Sequence, residues 1–295
     1  MSVQGVSLNL DSNDSEWTVL RMLEWGTDYF SKKGIDAPRL SVEWLLSELL
    51  HVGRLDLYLQ FDRPLTSKEL ETMREWVRRR AKHEPLQYIT GFTDFYHCRI
   101  KVAPGVLIPR QETEYLVDLI LADHPQDHKR VLDIGTGSGC IALALKKERP
   151  NWEIVAIDVS EQALEIAKEN ARLNDLSVDW IHMDLFEARN TFSGEHFDIV
   201  VSNPPYILPS EANELDPQVR NFEPSLALFH ENPESLYEEI FLFADIMQPS
   251  ATVYVEIHCD YGQALLQHLE KVGRELYLKQ DLSSKDRYLI AKKRT

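Results

Sequence analysis

The run Arg130-Val131-Leu132-Asp133-Ile134-Gly135-Thr136-Gly137-Ser138-Gly139 decides the fold. Its first five residues carry an apolar strand signal, its glycines a turn, and residues 139–148 a helical apolar pattern. A strand that turns on closely spaced glycines into a helix can bring its backbone against a ligand, because glycine has no Cβ and tolerates positive φ. Toward the C-terminus the alternation repeats: strand 153–157, helix 160–173, strands 178–182 and 197–201, helix 234–247, strand 251–257 and helix 261–272. Such alternation predicts an open, mostly parallel α/β sheet with helices on both faces. The last two strands, 275–281 and 286–292, are separated by little more than Ser283-Ser284-Lys285, which only an antiparallel hairpin allows. The expectation is a seven-stranded sheet that ends in this hairpin.

Toward the N-terminus the period changes. Residues 16–82 read as helical, with Leu20, Leu23, Trp25, Tyr29 and Phe30 on one apolar face and Val42, Leu45, Leu46, Leu49 and Leu50 on another. Thr66-Ser67-Lys68-Glu69 has the spacing of a capping box, and the helix it opens ends in Arg78-Arg79-Arg80, expected to be a solvated terminus. Tyr88-Ile89-Thr90-Gly91 and then Phe95 to Val102 alternate at period two, as a β-hairpin does. The expected division is a helical domain over 1–82, a hairpin linker over 83–108 and an α/β domain over 109–295.

Composition bounds the possibilities. A chain of 295 residues suits about two domains. The first 15 residues lack the basic and apolar segments of a leader, and no apolar run is long enough to span a bilayer. Three scattered cysteines, Cys98, Cys140 and Cys259, without a CxxC, fit reduced thiols in a cytoplasmic protein. The histidines show no metal-ligand spacing, so no metal is expected. The net charge is −16, and residues 211–240 alone hold eight acids against the single base Arg220. Phosphate backbones are bound by neutralising Lys and Arg, so this acidic stretch argues against a long nucleic acid as substrate.

The chemistry resides at strand ends. In open α/β sheets ligands sit beyond the carboxyl ends of the strands. There lie Gly135, Thr136, Gly137, Ser138 and Gly139, with Asp133 just before them. Asp158, 19 residues past Gly139, is placed to accept hydrogen bonds from ribose hydroxyls. The third strand leads to Met183-Asp184-Leu185-Phe186, where Asp184 can accept from an adenine amino group while Leu185 packs on the ring. The fourth leads to Asn203-Pro204-Pro205-Tyr206. The D-x-G-x-G-x-G spacing, Asp184 and this last segment favour S-adenosyl-L-methionine over a nicotinamide. A planar –NH2 group is a poor nucleophile until it pyramidalises, and acceptors on its two N–H bonds favour that change. The Asn203 side-chain oxygen and the Pro204 carbonyl can supply them, with Pro205 holding the backbone rigid and Tyr206 stacking on the planar group.

These motifs together resemble class I (Rossmann-like) adenosylmethionine-dependent methyltransferases that act on planar nitrogens. The stretches Glu84 to Gly91, Val106 to Glu114 and Phe222 to Leu228, with Glu256-Ile257, Asp281-Leu282 and Arg287, resemble the bacterial release factor glutamine methyltransferase family (HemK/PrmC). That resemblance implies methylation of the glutamine in the Gly-Gly-Gln loop of peptide chain release factors, with S-adenosyl-L-homocysteine as product. It implies further that Ile108–Glu114, with Arg110 and Thr113, lines the cofactor pocket, that Phe95 lies near the methyl group or ribose, and that the helical domain docks the release factor. The remaining expectations are a monomer, no membrane and no direct nucleic-acid partner. The alternative is an amino methyltransferase acting on adenine N6 or guanine N2. One departure stands out: where the family carries a glycine-rich turn, this chain has Phe229-His230-Glu231-Asn232-Pro233-Glu234.

Overall fold

The computed structural model describes residues 16–125, 128–192 and 195–294. The stretch read for a leader, 1–15, lies outside them. Two compact units divide between Thr90 and Gly91.

The first unit is helical, with helices Val19–Lys32, Pro38–Leu50 and Ser67–Arg80, a 3-10 turn at Arg54–Leu59 and a short helix at Leu86–Thr90. Its core gathers Val19, Met22, Leu23, Phe30, Val42, Leu45, Leu46, Met73 and Val77; of the expected apolar faces, Trp25, Tyr29, Leu49 and Leu50 pack against it partly buried, and Leu20 stays outside it. Thr66 and Glu69 form the expected capping box. Two expectations are corrected here. Of the arginine run only Arg78 is the exposed terminus expected: Arg80 is buried and Arg79 is half-buried against its partners. Arg79 holds Glu84 through two nitrogens and donates to the Tyr88 carbonyl at 3.0 Å, while Arg80 donates to the Glu84 carbonyl. Tyr88-Ile89-Thr90 is helical rather than a strand, because local bonds (Ile89 N–H to Pro85, Thr90 hydroxyl to Leu86) and the grip of Arg79 outweigh its period-two pattern.

The second unit opens with the hairpin β1 (Phe92–Phe95) and β2 (Cys98–Lys101). The main sheet comprises β3 (Arg130–Ile134), β4 (Glu153–Asp158), β5 (Asp179–His182), β6 (Ile199–Ser202), β7 (Thr252–Glu256), β8 (Arg274–Gln280) and β9 (Asp286–Lys293). Their order is β5-β4-β3-β6-β7-β9-β8, parallel except for β9, which runs antiparallel to both β7 and β8. The sheet is therefore the mostly parallel seven-stranded one expected, with the hairpin at its edge. Its core includes Leu132, Val155, Val200, Phe241, Phe243 and Val253. No helix among the described residues is long and apolar enough to cross a membrane.

Candidate active site

Strand order reverses between β3 and β6, since β4 and β5 lie on one side of that pair and β7 on the other. This is the switch point at which open α/β sheets bind ligands. Ile134 stands opposite Ser202 in the register, and the Ser202 hydroxyl donates to the Ile134 carbonyl at 2.7 Å, tying the two strand ends together. The glycine turn leaves β3, Asn203-Pro204 leaves β6, and both border one cavity of about 490 Å³.

The glycines of the turn divide the work. Gly137 has φ +55°, and a Cβ there would meet nothing within 4 Å, so its face is open. Gly139 has φ +80°, and a Cβ would stand 2.8 Å from Trp180, so it serves packing. The turn is held in place by carboxylates and an amide. Asp158 accepts the Gly137 N–H on one oxygen and the Ser160 N–H on the other, each at 2.8 Å. Each oxygen retains capacity for a second donor. Burial raises the Asp158 carboxyl while those amides pull the other way. Beneath the turn, Asp133 is fully buried and takes a hydrogen bond from the Thr136 hydroxyl at 2.6 Å; its burial pushes it up to about 7. Asn170, absent from the sequence expectations, is also fully buried. Its amide donates to the Ser138 and Lys101 carbonyls and accepts the Lys101 N–H, fastening the turn to β2. A pair of asparagines four apart, Asn170 and Asn174, on an otherwise apolar helix face was the available signal.

Across the cavity the contacts are side chain to side chain. Asn203 Nδ2 donates to Thr113 Oγ1 at 3.2 Å, and Thr113 Oγ1 donates to Glu256 Oε2 at 2.7 Å. The Tyr206 hydroxyl donates to Glu256 Oε1 at 3.1 Å. Glu256 ends β7 and is buried; burial raises it, while the bonds from Thr113 and Tyr206 and the charge of Arg287 oppose the shift. It was quoted only as part of a resemblance, since a single acid after Thr-Val-Tyr-Val gives no sign of its partners. Arg110 borders the cavity and also pairs with the buried Glu223 at 2.5 Å, whose other oxygen accepts the Ile108 N–H. It thus braces the site through an ion pair.

Of the residues singled out from sequence, Arg110, Thr113, Gly135, Thr136, Gly137, Ser138, Asp158, Asp184, Leu185, Asn203, Pro204 and Pro205 line this cavity. Asp133, Gly139, Phe95 and Tyr206 are not among the lining residues. Phe95 is buried at the tip of the β1–β2 hairpin, opposite Cys98. Tyr206 lines a neighbouring cavity of about 210 Å³. The open glycine face, two carboxylates at strand ends and the apolar walls of Ile134, Val159, Leu185 and Phe186 fit a nucleoside-bearing cofactor.

Residues 21–91 match the PrmC N-terminal domain family, and residues 104–216 the methyltransferase small domain family. A release factor glutamine methyltransferase of Geobacter sulfurreducens is 38% identical over 87% of this chain and 90% of its own. Proteins of the same description from Rhodopirellula baltica (45% identical over 74% of this chain and 75% of its own) and Chlorobaculum tepidum (37% over 92% and 96%) match similarly. The chain belongs to the release factor glutamine methyltransferase family.

The segment 229–234, at which the resemblance leads to the expectation of a glycine-rich turn, lies beside both cavities. Ile207 and Phe229 pair as an isolated parallel bridge, which returns the chain to the exit of the Asn203–Tyr206 segment. His230 lines the larger cavity, and Glu231 to Glu234 line the smaller one with Tyr206, His258 and Tyr261. His258, Cys259 and Asp260 bring ligand-type atoms within 4.8 Å of one another, although the spacing of the histidines in the sequence gives no sign of it.

Proposed function

We propose that the protein transfers a methyl group from S-adenosyl-L-methionine to the side-chain amide N5 of the glutamine in the Gly-Gly-Gln loop of release factors, leaving S-adenosyl-L-homocysteine. It acts in this reading as a cytoplasmic monomer, with the helical unit supplying a docking surface for the release factor. The observation that carries the reading is the placement of Asn203 and Pro204 on the wall of the cavity that the glycine turn also borders. Among the described residues, nothing donates to Asn203 Oδ1 or to the Pro204 carbonyl, so both acceptors are free for a substrate amide.

Gly135 and Gly137 would admit the cofactor close to the backbone, Asp158 would take ribose hydroxyls on its spare lone pairs, and Asp184 and Leu185 would hold the adenine. When bound, the cofactor supplies an electrophilic methyl on a sulfonium. Asn203 Oδ1 and the Pro204 carbonyl accept the two N–H bonds of the glutamine amide. They orient it and favour the pyramidal nitrogen whose lone pair can attack. Such preorganised acceptors act where charge develops and need no strong base, because the N-methylated amide sheds its extra proton readily. The acidic stretch 211–240 beside the site supports a protein substrate over a nucleic acid.

The test is mass spectrometry of release factor incubated with the protein and S-adenosyl-L-methionine, with DNA and RNA treated in parallel. The expected result is one added methyl on the Gly-Gly-Gln glutamine. Methylation of adenine or guanine alone would overturn the proposal.

A further inference from the structure

The two ends of an asparagine amide are nearly the same size, yet only the oxygen can accept a substrate N–H. Something in the site must therefore choose which end faces the substrate. We propose that Glu256, acting through Thr113, is the positioning residue that sets the Asn203 amide with its oxygen toward the substrate; this rests on the function proposed above.

The choice follows from counting protons. Thr113 Oγ1 stands 2.7 Å from Glu256 Oε2 and 3.2 Å from Asn203 Nδ2. Thr113 is 3% exposed and Glu256 2%, so water does not substitute for either partner. A hydroxyl has one proton and two lone pairs, whereas an ionised carboxylate can only accept. Burial works against the ionised form of Glu256, while the two hydroxyls donating to it and the charge of Arg287 favour that form. The Thr113 proton is therefore committed to Glu256, and toward Asn203 the hydroxyl offers a lone pair alone. That lone pair is met by the Nδ2 donor, which leaves Oδ1 on the other side. Turning the amide over would set Oδ1 against a lone pair with no proton between them. An unmet buried contact of this sort disfavours the wrong orientation on the order of 10- to 100-fold.

The surroundings make the choice rigid. The Tyr206 hydroxyl donates to the second Glu256 oxygen, so one carboxylate fixes both the amide and the aromatic ring of the Asn-Pro-Pro-Tyr segment. The buried Tyr237 hydroxyl donates to the Glu256 backbone carbonyl at 2.9 Å. The Tyr288 hydroxyl donates to the Glu112 carbonyl at 2.7 Å, holding the helix turn that carries Thr113.

Two measurements test this. A neutron structure of the deuterium-exchanged wild type reads the orientation without any substrate. The inference expects deuterium on the Asn203 atom that faces Thr113, and oxygen there would overturn it whatever the protein methylates. Kinetics then use whichever substrate the wild type methylates, so that failure on release factor would count against the proposed function and not against this inference. Thr113→Val keeps the shape and removes the hydroxyl; kcat should fall on the order of 10- to 100-fold. KM for the substrate and the cofactor Kd measured by calorimetry should stay within about threefold, the split that marks an interaction felt mainly in the transition state. Thr113→Ser, which restores the hydroxyl, should recover most of the loss. A Thr113→Val protein with undiminished kcat, or one whose loss appears only as weaker cofactor binding, would show that Thr113 does not orient Asn203.

Discussion

The two walls of the cavity are built on different principles. On the β3–β4 side the work is done by backbone: glycines in left-handed conformations, and amide N–H groups of Gly137 and Ser160 held by Asp158. On the β6–β7 side it is done by side chains, with Asn203, Thr113, Glu256 and Tyr206 bonded in series from three separate stretches of sequence. A backbone wall tolerates changes of side-chain chemistry but not an added Cβ. A side-chain wall tolerates small shifts of shape but not the loss of a single donor or acceptor. The first is suited to holding a ligand and the second to handling a reacting amide. The strongest way to break this contrast is Asn203→Ala. Losing one preorganised partner of a reacting group typically costs a factor of about 10² to 10³ in kcat. Cofactor affinity, measured by calorimetry, should change by no more than about threefold, because the other wall is intact. If affinity collapses and kcat of the loaded enzyme survives, the division between the walls is wrong.

The glycine turn offers a sharper version within one motif. Gly137→Val forces a β-branched residue into φ +55° and sends its side chain into open space on the cavity side. Left-handed backbone costs roughly 1–2 kcal/mol for a residue with a Cβ. That strain lowers stability, while the β-branched bulk placed on the cavity wall is what should lower cofactor affinity. Gly139→Ala should behave differently, since its Cβ would stand 2.8 Å from Trp180 and 3.1 Å from Ala167. Overpacking of this kind costs about 1–3 kcal/mol of stability. Differential scanning calorimetry should show Gly139→Ala lowering Tm while Gly137→Val lowers affinity most. Equal effects on both readouts would erase the distinction between the open glycine and the packed one.

The same contrast governs what could be read in the sequence. The backbone wall is written in consecutive residues: a strand, a glycine turn and a helix, with one acid at the next strand end. Its chemistry is local, so spacing alone conveys it. The side-chain wall is not contiguous. Thr113 and Glu256 lie 143 positions apart and meet only because the Gln111–Asp123 helix packs on β7. Asn203-Pro204 was legible because the prolines interrupt an apolar strand, whereas Glu256 merely ends one. Periodicity misled at Tyr88-Ile89-Thr90-Gly91, where so short an alternation weighs less than the hydrogen bonds from Arg79 to the Tyr88 and Ile89 carbonyls. Charge clustering misled most at Arg80, because a guanidinium can leave the solvent when a backbone carbonyl, here that of Glu84, accepts from it.

A different kind of effect is expected at the acid beneath the backbone wall. Asp133 has no access to solvent, and burial pushes it from 3.8 up to about 7, with the Thr136 hydroxyl pulling weakly the other way. The folded chain therefore keeps a proton that the unfolded chain releases above about pH 4. Stability drawn from that proton is fully present below the unfolded value, declines as pH rises, and is lost once pH passes through about 7. Asp133→Asn carries no titrating proton, and its amide oxygen can still accept from Thr136. Its Tm should consequently fall less than that of the wild type between pH 4 and 7, whatever its absolute stability at either end. Matching slopes for the two proteins across that window would mean that Asp133 is ionised in the folded state. The backbone wall would then stand on a buried negative charge instead of a neutral acid.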